Sequence, residues 1–198
     1  MYSYIPRTFI IPPLEGISPK SIEEHLGLYQ GYVKNFNAIT ALISELIKDS
    51  ETNAHAIAEL VRRKSFEFDG MRLHEMYFEQ LEGGLKGMEA DCELATALSE
   101  QFGSMASALA QIKQAGMMRG PGWAILYVDP SAKQFHIGFS GEQHNGHYVT
   151  LPIILALDVW EHAYLLDYGA QGKGKYVDAF LKNLNWTVIE KRFGECQK

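Results

Sequence analysis

Cysteine is scarce in this chain: two in 198 residues, Cys92 and Cys196. They lack metal-ligand spacing, so neither a disulfide framework nor a thiolate site is signalled, and the usage fits a reducing compartment. Cys196 is also the third residue from the C-terminal end, where order is often poor. Long apolar runs are missing. None approaches the roughly 18 residues of a membrane-spanning helix, and residues 1–13 lack the basic start and apolar core of a signal peptide. These absences predict a soluble, cytoplasmic protein with no membrane partner. A basic excess is missing too: 18 Lys and Arg face 24 Asp and Glu, for a net charge of −6. Nucleic acid is thereby excluded as a general partner. A small anionic substrate is still compatible, because the field in a funnel can differ from the global sign. Internal repeats, low-complexity tracts and HxxxH or HExxH pairs are all lacking, so any metal site must draw its ligands from separate elements.

What is present is an ordinary globular composition, with 46% apolar residues. The first seventeen residues carry three prolines and read as an extended arm. Ser18-Pro19 opens a helix, and apolar residues from Ile22 to Leu46 recur at steps of three or four, which predicts helix over about 20–48. Further helical blocks are expected at 54–63 and 71–81, before Glu82-Gly83-Gly84 breaks the pattern. Residues 85–115 are helical in composition. The character then changes: 123–128 reads as a buried strand, 129–132 as a turn, and 134–139 as its hairpin partner. A third strand is expected over 151–157, and helices over 159–166 and 175–184. The fold class expected is α+β: an N-terminal helical hairpin domain (1–84), then an α/β C-terminal domain (85–198) with a small antiparallel sheet of about three strands.

The chemistry concentrates at Leu157-Asp158-Val159-Trp160-Glu161-His162-Ala163-Tyr164. A carboxylate and an imidazole four residues apart, where a strand runs into a helix, suit a first-row transition metal. Taken alone, the pair reads equally as a helix-start cap and a satisfied buried histidine. A complete site needs further ligands from elsewhere, and His25, His55, His74, His136, His144 and His147 are the other histidines available.

The DxWEHAY string resembles the signature of the iron/manganese superoxide dismutases. The resemblance extends in order along nearly the whole chain. Tyr29-Gln30-Gly31-Tyr32-Val33-Lys34-Asn35 is similar to the family's first-helix segment, Met71 to Phe78 to its second ligand segment, and Gly120-Pro121-Gly122-Trp123-Ala124 to its glycine-tryptophan strand start. Leu151-Pro152-Ile153-Ile154 and Asn185-Trp186 match on either side of the signature. The resemblance implies one Fe or Mn ion per subunit, ligated by His74, Asp158 and His162. It implies Tyr32 over the open face of the metal, superoxide as substrate, and Lys173 among the charges that steer it. Gln143 falls near the position of the second-sphere glutamine of manganese-type members, with His144 competing for the role; Gly70 falls where iron-type members often place theirs. Glu161 implies a homodimer, with pairing into a tetramer left open.

Three positions depart from the family pattern. The first ligand, a His eight residues before the active-site tyrosine, corresponds to Glu24, with His25 next door. On this numbering Glu24 is the expected fourth ligand, since a carboxylate suits Mn and Fe. Neighbouring helical residues differ by about 100° in direction, so His25 replaces Glu24 only with a change of register. The gateway His four residues later corresponds to Leu28, and its aromatic partner to Leu165. These departures support an alternative, a dismutase-like metal-binding or interaction protein with weak or no dismutase activity.

Overall fold

The computed structural model describes residues 3–89 and 91–197. Helix α1 spans Pro19–Leu46. The Ser18 hydroxyl accepts from the Ser21 amide at 3.1 Å, a cap worth about 1 kcal/mol, and Pro19 supplies a first turn that needs no amide donor. This start fixes the phase of the helix. Ser21, Ile22, His25, Tyr29, Val33 and Phe36 form its buried stripe.

A short 3-10 turn at Ile47–Asp49 leads into α2, Ala54–Glu79. This is one continuous helix where the apolar pattern predicts two blocks. The reason lies in burial: every buried residue of α2 falls between Glu67 and Phe78. In the bridging stretch 64–70 the buried positions are Glu67 and Gly70, so no apolar stripe marks it. The two helices pack as the expected hairpin.

Residues 85–92 connect to α3 (Glu93–Phe102) and α4 (Met105–Gly116). The sheet follows, with β1 (Trp123–Asp129), β2 (Gln134–Ser140) and β3 (Ile153–Asp158). Its order is β2-β1-β3, antiparallel throughout. Central β1 is buried over its first six residues, which accounts for its unbroken apolar run. The register sets Trp123 opposite both Ser140 on β2 and Asp158 on β3. One end of the sheet therefore gathers the signature segment and the loop that carries Gln143.

After β3 the expected helix over 159–166 is replaced by a 3-10 turn, Glu161–Ala163, and a single helical turn α5, Leu165–Tyr168. Helix α6 spans Lys173–Lys182. Helix α7, Trp186–Cys196, was not anticipated from the sequence. It buries Trp186, Ile189 and Phe193 and sends Arg192 inward to Glu79 at 2.7 Å and to the carbonyls of Met76 and Ile154.

A single apolar cluster runs through α1, α2, the sheet, α6 and α7. Within it, the fully buried Gln80 uses its amide to hold both the N–H and the carbonyl of Ala156. That contact ties the end of α2 to β3, and with it the elements that carry His74 and Asp158.

Candidate metal centre

Four side chains from four elements converge at the edge of the core: His25 on α1, His74 on α2, Asp158 at the end of β3 and His162 in the following turn. Their ligating atoms all lie within 4.8 Å of one another. Asp158 Oδ2 is 3.1 Å from His25 Nε2, 3.1 Å from His162 Nε2 and 3.6 Å from His74 Nε2. Local backbone aims this carboxylate. The Trp160 amide donates to its other oxygen, Oδ1, at 2.8 Å, and the Val159 amide donates to the Gly122 carbonyl. Glycine is required at 122: its φ is +147°, and a Cβ would lie 2.2 Å from the Ser140 carbonyl oxygen.

His74 tests whether the cluster fits a metal. Its Nδ1 lies 2.6 Å from the Gly70 carbonyl, so that nitrogen carries the proton and donates. Nε2 is then a bare lone pair. It is fully buried, and it has no hydrogen-bond partner among the described residues. A buried acceptor without a donor costs about 1–3 kcal/mol; a cation in the cluster would satisfy it. Burial pushes the His74 imidazole down to about 3, reinforced by nearby His25. His25 is also lowered by burial, in spite of Asp158 beside it. Burial alone would raise Asp158, but the His162 and His25 imidazoles hold it well below the usual carboxylate range. The result is neutral His25 and His74 imidazoles beside an ionised carboxylate, and with His162 they make the donor set that borderline divalent and trivalent first-row metals take.

Glu24 lies outside this cluster. It is exposed on α1 and pairs with Lys20 at 2.8 Å. The expectation that it fills the first-ligand position is corrected by helix phase. Seven residues separate His25 from Tyr32, a rotation of about 700°, within about 20° of two full turns. Eight residues from Glu24 give about 800°, which is about 80° off. The uninterrupted helix Pro19–Leu46 therefore puts His25 and Tyr32 on one face and Glu24 off it. The buried stripe of this helix, packed against α2, is what selects the histidine. The residue four after His25 is Tyr29, not Leu28. Tyr29 is fully buried and donates to Glu75 Oε1 at 3.0 Å.

A polar chain borders the cluster. Tyr32 packs its ring on His74 at 4.9 Å between centroids. Its hydroxyl accepts from Gln143 Nε2 at 3.0 Å, and Gln143 Oε1 accepts from Trp123 Nε1 at 2.8 Å. Gln143 is fully buried. His144 instead faces Phe66, so Gln143 is the residue that reaches the site. Gly70 leaves room for this arrangement: a Cβ there would meet the Tyr32 ring at 2.6 Å. Burial pushes the Tyr32 phenol up, so it is protonated at neutral pH. Trp160 stacks beside His162, and Trp123 stands edge-on to His74. Lys173 is engaged elsewhere, donating to the carbonyls of Met118 at 2.6 Å and Gly120 at 3.1 Å. Outside the cluster, a shallow hollow of about 560 Å³ is bordered by Ser21, Glu24, Leu28, His162, Leu165 and Leu166.

Residues 90–192 match the model of the C-terminal domain of iron/manganese superoxide dismutases. The chain belongs to the iron/manganese superoxide dismutase family. Its similarity to curated members extends well beyond that domain. It is 33% identical to the iron superoxide dismutase of Aquifex pyrophilus over 192 residues, covering 93% of this chain and 88% of the relative. It is 32% identical to that of Saccharolobus solfataricus over 197 residues, covering 96% and 92%. For the enzyme of Cupriavidus metallidurans the identity is 35% over 185 residues, covering 91% and 90%. The family's α+β architecture, with N-terminal helices followed by an α/β region and a three-stranded antiparallel sheet, is the one described above.

Proposed function

We propose that this chain is a superoxide dismutase whose metal is held by His25, His74, Asp158 and His162. The observation that carries this reading is the buried, donorless Nε2 of His74, aimed at an ionised Asp158 between two further imidazoles. Family membership and the iron-named relatives support the activity. The three-imidazole, one-carboxylate set suits iron and manganese alike. The relatives favour iron, while Gln143, supplied from the loop after β2, favours the manganese-type arrangement.

When bound, such an ion supplies a one-electron couple that oxidises one superoxide to dioxygen and reduces a second. The chain's own residues supply placement and protons. Asp158 and the three imidazoles converge from four elements, so their positions are set by the fold before any ion arrives. Reduction to hydrogen peroxide consumes two protons. Tyr32 holds one at its Oη, beside His74, and the Gln143 amide fixes the orientation of that hydroxyl. Trp123 in turn holds Gln143 and closes the cluster to water from the sheet side.

The reading includes a homodimer formed through the Glu161 region. Leu28, Leu165 and Leu166 form a half-exposed apolar rim beside His162, which keeps about a fifth of its side-chain surface exposed. A second copy would cover that rim. A cytoplasmic location is supported by the two free cysteines; among the described residues, no helix is long and apolar enough to cross a membrane. The alternative, a dismutase-like metal-binding or interaction protein with weak or no dismutase activity, loses the support it drew from Glu24 once His25 stands in the cluster. The test is purified protein loaded with Fe or with Mn and assayed for superoxide dismutation. A rate no greater than that of the free ion would overturn the activity.

A further inference from the structure

Gln143 sits in the loop between β2 and β3, flanked by exposed residues: Gly141 and Glu142 before it, Asn145 and Gly146 after it. Such a segment has no packing reason to hold one side chain still. The Gln143 amide nevertheless bridges Trp123 and Tyr32 with two good hydrogen bonds. Something must fix the backbone beneath it. Ser140 does part of this, its single hydroxyl proton shared between the loop carbonyls of Glu142 and Asn145, each 2.8 Å from Oγ. The carbonyl of Gln143 itself is held by one side chain, His147, whose Nε2 lies 2.8 Å away.

The chemistry of that contact is determined. A carbonyl oxygen only accepts, so His147 Nε2 carries the proton. In the neutral ring Nδ1 is then bare, and it lies 3.0 Å from the Tyr127 hydroxyl, which donates to it. Burial pushes the Tyr127 phenol up to about 12, so the phenol remains a donor across the physiological range. Tyr127 lies on β1 and is itself buried. An unbroken chain of hydrogen bonds therefore runs from the central strand through Tyr127, His147 and Gln143 to the Tyr32 hydroxyl.

We propose that His147 is a positioning residue for the active site: anchored by Tyr127, it clamps the Gln143 backbone so that the Gln143 amide presents to Tyr32. A simple loop staple would alter only stability. A positioning residue must also alter the Gln143 side chain and what depends on it.

Three variants in the full chain separate these roles. His147→Phe keeps the bulk and removes both hydrogen bonds. His147→Gln retains an N–H donor for the Gln143 carbonyl. Tyr127→Phe leaves that donor but frees the ring. The first readout needs no metal: the indole N–H of Trp123, assigned by its loss in Trp123→Phe, reports on its bond to Gln143. His147→Phe should move that resonance upfield and speed its exchange with solvent, His147→Gln should restore it largely, and Tyr127→Phe should fall between. In metal-loaded protein, His147→Phe should lower kcat about tenfold at full metal content, the scale of outer-sphere losses, with His147→Gln recovering most of it. An unmoved Trp123 indole in His147→Phe would overturn the proposal, as would equal losses in the Gln and Phe variants. Should His147→Phe not fold, the indole resonance and kcat of His147→Gln and Tyr127→Phe decide alone: parental values in both overturn it. The indole measurement stands even if the parent lacks dismutase activity, so the two readings fail separately.

Discussion

At the scale of single residues, the difference between Glu24 and His25 is one step along a helix, about 100° of rotation. That step separates a solvent-exposed acid paired with Lys20 from a buried imidazole touching Asp158. Metal analysis distinguishes them directly. His25→Ala should leave the purified protein with well under one Fe or Mn per subunit, while Glu24→Gln should keep full occupancy and an unchanged melting curve. The buried histidines also set a response to acid in the metal-free protein. Their folded pKa values lie below the ordinary 6.5, with His74 at about 3. Below pH 6.5 the unfolded chain therefore binds protons that the folded chain does not. The stability they contribute is present above about pH 6.5 and is lost as pH falls toward 3. Denaturant midpoints of the metal-free protein should drop over this window, and His74→Gln should make the drop shallower.

Elements set how those residues meet. Helices α1 and α2 approach closely enough for the Tyr32 ring to occupy the space of a side chain at position 70. Gly70→Ala should displace that ring and cost about 1–3 kcal/mol, as overpacking does, with loss of the Trp123–Gln143–Tyr32 alignment read by the Trp123 indole N–H resonance. Helix α7 is held by Arg192, which reaches Glu79 on α2 and two backbone carbonyls. Arg192→Ala removes a charge from a mostly buried network and takes a donor from those carbonyls, of which that of Met76 keeps the Gln80 amide. Because Glu79 is one-third exposed and keeps Arg7, the expected cost is about 2 kcal/mol in denaturant unfolding, less than for a fully buried pair. The hairpin α1–α2 was legible from its buried apolar stripe, and the β1–β2 pair from an unbroken apolar run, a turn and an alternating partner strand. The stretch 64–70 that joins the two expected blocks of α2 was not, because its buried positions are Glu67 and Gly70 rather than apolar side chains. Helix α7 was not, because its apolar residues Trp186, Ile189 and Phe193 are few and close to the chain end.

For the whole molecule, the apolar rim of Leu28, Leu165 and Leu166 lies beside His162. Light scattering on the purified protein should give a dimer mass. Leu165→Glu places a charge in that rim and should yield monomer at micromolar concentration; an unchanged dimer would move the interface elsewhere. Because His162 is the most exposed residue of the cluster, dissociation should also raise its solvent access and weaken metal retention.

Readable along the chain were the family, the α+β order of elements, three of the four clustered residues and Tyr32, with Gln143 and His144 competing for one place. These depend on local strings, and a string such as Asp158 to Tyr164 keeps its chemistry wherever it is folded. Tertiary structure decided the fourth position and the setting of all of them. Which side chain of α1 points inward depends on the phase of a continuous helix fixed by its cap and packed against α2. Whether a glutamine in an exposed loop is held still depends on a strand and a histidine that only the folded sheet brings beneath it. Direction and distance across elements are set by packing, and no spacing along the chain encodes them by itself.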